Sequence, residues 1–329
     1  MAKNKTTLII RLSALGDVAM TIPVVYSVAR RYPADKFVLL TKTPFQCIFI
    51  NKPDNLEVVG VDTKKNNILS VVRGLRVKPT MVADLHSVLR SWMVDIYFRV
   101  RGKKAAVINK GKRDKQTLTR SRKKQMRQLP TSIERYQRVF EKLGYDAAVD
   151  FKSLLPDKTA KDETWMGIAP FAKHQGKIYP LELMENVVNR LNSQQNIRIF
   201  LFGSKAEAPI LNKWAEKYNN VQSVAGRLSF EEELRLMNDL NVMLSMDSAN
   251  MHLASLVNTP VVSVWGATHP YAGFYGYNQP IVNAIEVDLE CRPCSVFGNK
   301  PCKRGDYACM QQIQPERIVE KMNNEICVN

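Results

Sequence analysis

Short apolar runs alternate with amphipathic stretches along nearly the whole chain, and this alternation narrows the fold more than any single motif does. Residues 8–10, 37–40, 56–61, 81–83 and 105–108 read as strands in the first half, and 166–169, 197–202, 221–224, 242–244 and 261–264 in the second. Between them, residues 18–30, 181–191, 208–218 and 230–237 place apolar side chains at helical spacing. Strands that are apolar throughout are buried on both faces, the condition of a parallel sheet covered by helices. The 329 residues make roughly two domains at about 100–200 residues each. Segment 150–164 is charged, contains Pro156 and lacks periodicity, so it reads as the linker. The expected architecture is α/β: Rossmann-like domains of residues 1–155 and 156–329, their parallel sheets facing across a cleft. A helix over residues 315–324 ends the chain, in a position to pack back on the first domain.

Ligands of open α/β sheets bind beyond the carboxyl ends of the strands. That rule singles out residues 13–17, 170–180, 203–207, 226–229, 247–252 and 266–276. In the fifth of these loops Asp247, Ser248 and Asn250 favour a helix start, since their side-chain oxygens accept orphan backbone N–H groups. Free N–H donors and the positive end of a helix dipole make such a turn a seat for phosphate. Ser248 and His252 share a helical face, four residues apart. Local spacing fits an ordinary capped helix with a core histidine equally well. Gly16 permits a tight turn after the first strand, and Asp17 stands at a helix start, where it either caps the helix or serves as general base to a hydroxyl. No G-x-G-x-x-G follows that strand, which weighs against a dinucleotide-dependent dehydrogenase. Lys177, just ahead of a helix, is placed to meet phosphate charge; alone, it reads as a solvated lysine. Ser229 and Glu232 form a capping box, which secures a helix and says nothing of function.

Lys and Arg number 48 against 31 Asp and Glu, a formal net charge of +17. The excess points to an anionic partner. It concentrates over residues 99–127, where Asp114 is the single acid. No aromatic residue follows Arg99 there to stack bases, and no zinc-finger or helix-turn-helix pattern accompanies it, so nucleic acid is not expected. Anionic lipid head groups and acceptor phosphates fit better, through residues such as Arg101, Lys103, Arg120 and Arg122. Lys3 and Lys5 imitate a signal peptide's basic start, but Arg11 and Asp17 cut its apolar run short. No stretch approaches the roughly 18–20 apolar residues that span a bilayer. The expected place is the cytoplasm, with peripheral contact at the inner membrane. Four of six cysteines cluster: Cys291 and Cys294 as C-x-x-C, then Cys302 and Cys309. This spacing allows a structural four-cysteine zinc site, with free thiols in an irregular loop as the alternative. Disulfides are not expected in a reducing compartment.

The loops taken together carry a resemblance. Leu12-Ser-Ala-Leu-Gly-Asp17, Lys177-x-Tyr-Pro, Asp247-Ser-x-x-x-His252 and Trp265-Gly-Ala-Thr, in this order and spacing, resemble glycosyltransferase family 9, the bacterial heptosyltransferases of the lipopolysaccharide inner core. The resemblance implies a GT-B fold, an ADP-heptose donor, an inverting mechanism that requires no metal or other cofactor, and a lipid-linked acceptor. It puts the general base on Asp17, the diphosphate-binding lysine on Lys177, and the donor-binding helix start on Asp247, Ser248 and His252. Ala249, Gly203, Ser204 and Gly226 join the donor side; Ser13 joins the four basic residues on the acceptor side. Three positions depart from the family: Ala249 replaces a usual glycine, Tyr179 a frequent tryptophan, and Gly226-Arg-Leu-Ser229 a Gly-Lys-Thr-Ser-like segment. They leave the donor sugar open. Transfer of another nucleotide-activated sugar to a surface glycan is the nearest rival, and a non-catalytic basic nucleotide- or nucleic-acid-binding protein is the rival of another class.

Overall fold

A computed structural model describes residues 4–156 and 158–327; Lys3, and Asp157 within the expected linker, lie outside the described residues. The chain forms two compact units, Met1–Gly111 with Pro130–Leu154, and Lys112–Leu129 with Leu155–Asn329.

The first unit is a five-stranded parallel sheet of β1 (Thr6–Ile10), β2 (Lys36–Lys42), β3 (Leu56–Val61), β4 (Met81–Asp84) and β5 (Lys104–Val107), in the order β3-β2-β1-β4-β5. Central β1 is buried along its whole length, as its run Thr-Thr-Leu-Ile-Ile requires. The segment read as one helix over residues 18–30 is two, α1 (Leu15–Ala19) and α2 (Ile22–Arg31). Pro23 is the reason. It has no N–H to donate and its ring would strike the carbonyl of Ala19, so one helix stops there and the next takes the proline into its first turn. Helices α3 (Ile68–Gly74) and α4 (Leu89–Arg99) follow, with Val72, Val94 and Phe98 packed on Leu8, Ile10, Val38 and Val82.

The next helix, α5 (Lys112–Leu118), belongs to the second unit, so a single crossing near residue 155 does not describe the chain. Leu118 and Leu129 pack around Ala272, the Leu129 N–H donates to the Tyr271 carbonyl at 2.9 Å, and the buried Lys115 ammonium lies 3.8 Å from the Phe274 ring centroid. Returning to the first unit, α6 (Ser132–Lys142) opens on a capping box of Thr131 and Glu134.

Ahead of Thr164, where the next strand begins, the described residues of the expected linker form no helix or strand, but the segment is pinned at both ends. Phe151 and Leu154 are buried and the Leu154 carbonyl accepts from Asn51, while beyond it the Thr159 N–H donates to Asp239 and the Lys158 ammonium to the Leu240 carbonyl.

The second unit holds six parallel strands, β6 (Thr164–Ala169), β7 (Ile197–Leu201), β8 (Val221–Ser223), β9 (Val242–Met246), β10 (Val261–Val264) and β11 (Ala284–Ile285), in the order β11-β10-β9-β6-β7-β8. Helices α7 (Leu181–Asn192), α8 (Ala208–Lys217), α9 (Phe230–Asp239), α10 (Ala249–Leu256), α11 (Ala308–Gln311) and α12 (Pro315–Cys327) connect and close it. The apolar face of α12 completes this unit's own core, with Ile318 and Met322 fully buried beside Met184 and Leu244. Among the described residues no helix is long and apolar enough to cross a membrane.

Each sheet changes its direction of winding once, between β1 and β4 in the first and between β6 and β9 in the second. Loops diverge at such a point and leave a crevice beyond the carboxyl ends of the two strands.

Candidate functional site

In the first unit that crevice is bordered by the loop after β1 and the loop after β4. Arg11, buried to 6% exposure at the end of β1, donates to the Leu85 carbonyl at 2.7 Å and pairs with Asp17 Oδ2 at 2.6 Å. The Ala14 N–H also donates to Asp17 Oδ2, at 3.3 Å, so the carboxylate does reach back to cap α1. Both contacts fall on Oδ2, which leaves Oδ1 of a side chain 29% exposed as the oxygen able to take a proton. The Tyr136 hydroxyl donates to the Asp17 carbonyl at 3.2 Å and fixes the turn from α6. Ser13 is half-buried in the same loop.

From the β4 side, Asp84 Oδ1 accepts the N–H groups of His86 and Ser87 at 2.8 Å each, and its Oδ2 accepts from Ser91 at 2.7 Å. His86 is pushed down to about 4, by burial first and then by the Arg11 charge, so it is a neutral imidazole near pH 7. Below it Asp95, 3% exposed, is pushed up to about 8 by burial and by the neighbouring Asp84 carboxyl.

In the second unit the loop after β6 and the loop after β9 meet. Lys177 Nζ lies 2.7 Å from Asp247 Oδ2, and the Thr268 hydroxyl donates to the same oxygen at 2.8 Å. An ammonium has three N–H bonds, so one carboxylate partner leaves two for a ligand. Ser248 is the N-cap of α10 and makes no side-chain cap bond; its hydroxyl pairs with that of Ser245 at 3.2 Å. The leading N–H groups of α10 are thus without a side-chain cap beside the lysine. Ala249 keeps a negative φ, so its methyl group does not disturb the helix start. His252 is buried on the same helix. Close loop packing holds the lysine in place: the Ala267 N–H donates to the Gly176 carbonyl at 2.8 Å, and a Cβ at Gly176 would lie 2.9 Å from Ala267 Cβ. One and two strands away, Gly226 donates to the Gly203 carbonyl at 3.0 Å, and the Ser204 N–H is already taken by Glu207 at 2.6 Å.

The four basic candidates divide between the two units. Arg101 and Lys103 precede β5, at the amino edge of the first sheet, opposite the edge that carries Ser13 and Asp17. Lys103 donates to the Pro79 carbonyl, and Arg101 stacks on Tyr97 at 3.8 Å. Arg120 and Arg122 are exposed on the second unit. Contiguity in sequence misleads here, because the backbone leaves the first unit at Gly111.

Sequence reasoning missed the group that sets the Thr268 loop. Arg292 is buried and donates to the carbonyls of Trp265, Gly266, Thr268 and Val287 and to Glu286, whose other oxygen lies 3.1 Å from His269 Nε2. No local pattern announces it. All four clustered cysteines line one pocket, with Lys300, Arg304 and Tyr307, and all are free thiols. Cys294 is pushed up, and Cys309 up to about 11, by burial first with the neighbouring thiols adding. As placed, no three side chains among the described residues converge to hold a metal ion.

Comparison with known proteins fits this geometry. The family model described as "Glycosyltransferase family 9 (heptosyltransferase)" matches residues 68–303. The lipooligosaccharide heptosyltransferase 2 of Campylobacter jejuni is 21% identical over 94% of this chain and 95% of its own length. The lipopolysaccharide heptosyltransferase 1 of Pseudomonas aeruginosa is 24% identical over 96% of both. Among solved structures, a glycosyl transferase family 9 protein of Veillonella parvula superposes with a TM-score of 0.77 at 17% identity, over 100% of this chain and 99% of that one. The E. coli heptosyltransferase WaaC with ADP gives 0.68 at 18% identity, over 97% and 99%. At such identities the structural likeness speaks for the fold, which is GT-B. The family model spans most of the chain, and the chain belongs to glycosyltransferase family 9, the heptosyltransferase family, and is a glycosyltransferase.

Proposed function

We propose that the protein moves a heptosyl group from ADP-heptose to a hydroxyl of a lipopolysaccharide inner-core acceptor, inverting the anomeric carbon and needing no metal for the transfer. The observation that carries this reading is Lys177, paired with an Asp247 carboxylate that Thr268 also fixes, in front of the uncapped start of α10. Departure of a nucleoside diphosphate builds negative charge on its terminal phosphate. Fixed cations and helix-end N–H groups stabilise such charge without reorganising. Asp17 Oδ1 takes the proton from the acceptor hydroxyl as that oxygen attacks C1. The C1–O bond to the diphosphate breaks, a new C1–O bond forms on the opposite face, and ADP leaves. A single displacement of this kind inverts the anomeric centre.

Arg120 and Arg122 are free to meet acceptor phosphates, and the acceptor's lipid places the enzyme against the cytoplasmic face of the inner membrane. A structural zinc on the four cysteines is proposed from their spacing and shared pocket, and binding it requires their thiols to draw closer together than they stand here. Elemental analysis of the purified protein tests it: one zinc per chain supports the assignment and none removes it. The transfer itself is tested by a thermal-shift screen of ADP-, GDP- and UDP-sugars, because a ligand of the folded state alone raises apparent stability. Stabilisation by ADP-heptose, with ADP released only when a core acceptor is added, supports the reading. Stabilisation by the GDP- or UDP-sugars in its place overturns it.

A further inference from the structure

We propose that α4 is a membrane-contact helix whose outward face lies in the head-group region of an anionic lipid bilayer. Four of the ten large apolar side chains exposed among the described residues sit on this one helix, Leu89, Trp92, Met93 and Ile96, and a fifth, Val100, is its C-cap residue; they are between 37% and 79% exposed. At 3.6 residues per turn they fall within an arc of about 100°. The opposite face is buried under the first unit, through Ser91, Val94, Asp95 and Phe98. A helix apolar on both sides normally lies inside a protein; this one lies on the surface with its second apolar face unpartnered, which marks an interaction site.

The charges around it say what the partner is. Arg90 and Arg99 flank the stripe on either side of its arc, and Arg101 follows. From residue 63 to residue 113 the acids are Asp84 and Asp95, both buried. The exposed surface of that whole segment, Arg73, Arg76 and Lys104 included, is therefore neutral or basic. A second copy of the chain would set this basic rim against itself. Anionic lipid complements it, while the apolar stripe enters the acyl boundary and Trp92 takes the interfacial position that indoles favour. With 11 residues the helix is about 16 Å long, roughly half the hydrocarbon thickness, so it lies in the interface and does not span it. Its first turn follows directly on the Asp84–Val88 loop at the crevice of the first sheet. This inference gives the proposed lipid-linked acceptor a surface from which to enter, and it rests on that reading for its purpose.

Flotation of the full chain with phosphatidylcholine vesicles, with and without phosphatidylglycerol, reads the contact. Wild type should float with the anionic vesicles. Ile96→Glu and Trp92→Ala should each lose about tenfold in bound fraction, and Arg90→Glu/Arg99→Glu should lose the preference for phosphatidylglycerol. Because these side chains are on the surface, stabilisation by ADP should survive in every variant. ADP release with a detergent-dispersed acceptor should also stay unchanged in Ile96→Glu, while release with vesicle-embedded acceptor falls. Failure of all ADP release would sink the transfer reading and leave flotation standing. Equal binding of wild type and Ile96→Glu overturns the membrane assignment, as does equal binding to neutral and anionic vesicles. A dimer seen by sedimentation that Ile96→Glu dissociates, without flotation, overturns it in favour of a second copy.

Discussion

Asp247→Ala separates folding from donor recognition. The substitution removes the oxygen that accepts from Lys177 at 2.7 Å and from Thr268 at 2.8 Å. Losing one member of a buried pair costs about 3–5 kcal/mol, because the other charge is stranded. The Lys177 side chain keeps 15% exposure, so its ammonium turns partly to water and the loss belongs at the low end, about 3 kcal/mol. At about 2–4 °C per kcal/mol for a unit of this size, the unfolding midpoint drops by about 6–12 °C. Lys177→Met/Asp247→Leu removes both charges and refills their volume, and it should recover most of that loss, since an apolar replacement packs as well as a buried pair. Affinity for ADP should not recover. A charged hydrogen bond to the diphosphate is worth about 1.5–3 kcal/mol, so the double variant binds ADP about 10–150-fold more weakly. Differential scanning fluorimetry gives the first quantity and titration calorimetry the second. A double variant as unstable as Asp247→Ala, or one that binds ADP like wild type, refutes the reasoning.

Asp17→Asn should slow ADP release in the complete reaction by about 10²–10⁴-fold, with ADP affinity unchanged; turnover within tenfold of wild type removes Asp17 as the base. Asp95 ionises near 8 in the folded chain against 3.8 as an ordinary carboxyl, so the folded state retains a proton that the unfolded state releases. Stability from this group is full below about pH 4 and is lost as pH rises toward 8. Urea midpoints of Asp95→Asn should therefore fall less than wild type between pH 5 and pH 8, and parallel profiles would contradict the burial argument. Arg292→Met strips donors from four carbonyls and leaves Glu286 with His269 alone, at a cost of about 3–5 kcal/mol in urea unfolding. An unchanged midpoint would show that the Thr268 loop stands without it.

What could be read from sequence was whatever a local pattern reports. Central strands are buried on both faces and edge strands β3, β5 and β8 keep exposed positions, and all ten expected strands are present because each coincides with a short apolar run. Two-residue β11 is too short to make one. Helix α4 escaped because its apolar side chains divide between an inward and an outward face, which erases the single stripe that periodicity detects. Helix α6 did carry a signal, the Thr131 and Glu134 box after Pro130, that charge-rich surroundings obscured. For the site, the carboxyl-end rule located Asp17, Lys177 and Asp247 by the strands they follow. It could not supply their neighbours. Lys177 and Asp247 touch only because β9 is inserted beside β6, so that two loops remote in sequence border one crevice. Arg11 read only as the charge that cuts the first apolar run short, and Arg292 reaches Thr268 only through the irregular chain after β11. Sheet order decides which loops meet, and sheet order is a property of the whole core. The residues proposed to perform the chemistry are therefore legible one at a time, while the residues that hold them in place become visible only once the strands are assembled.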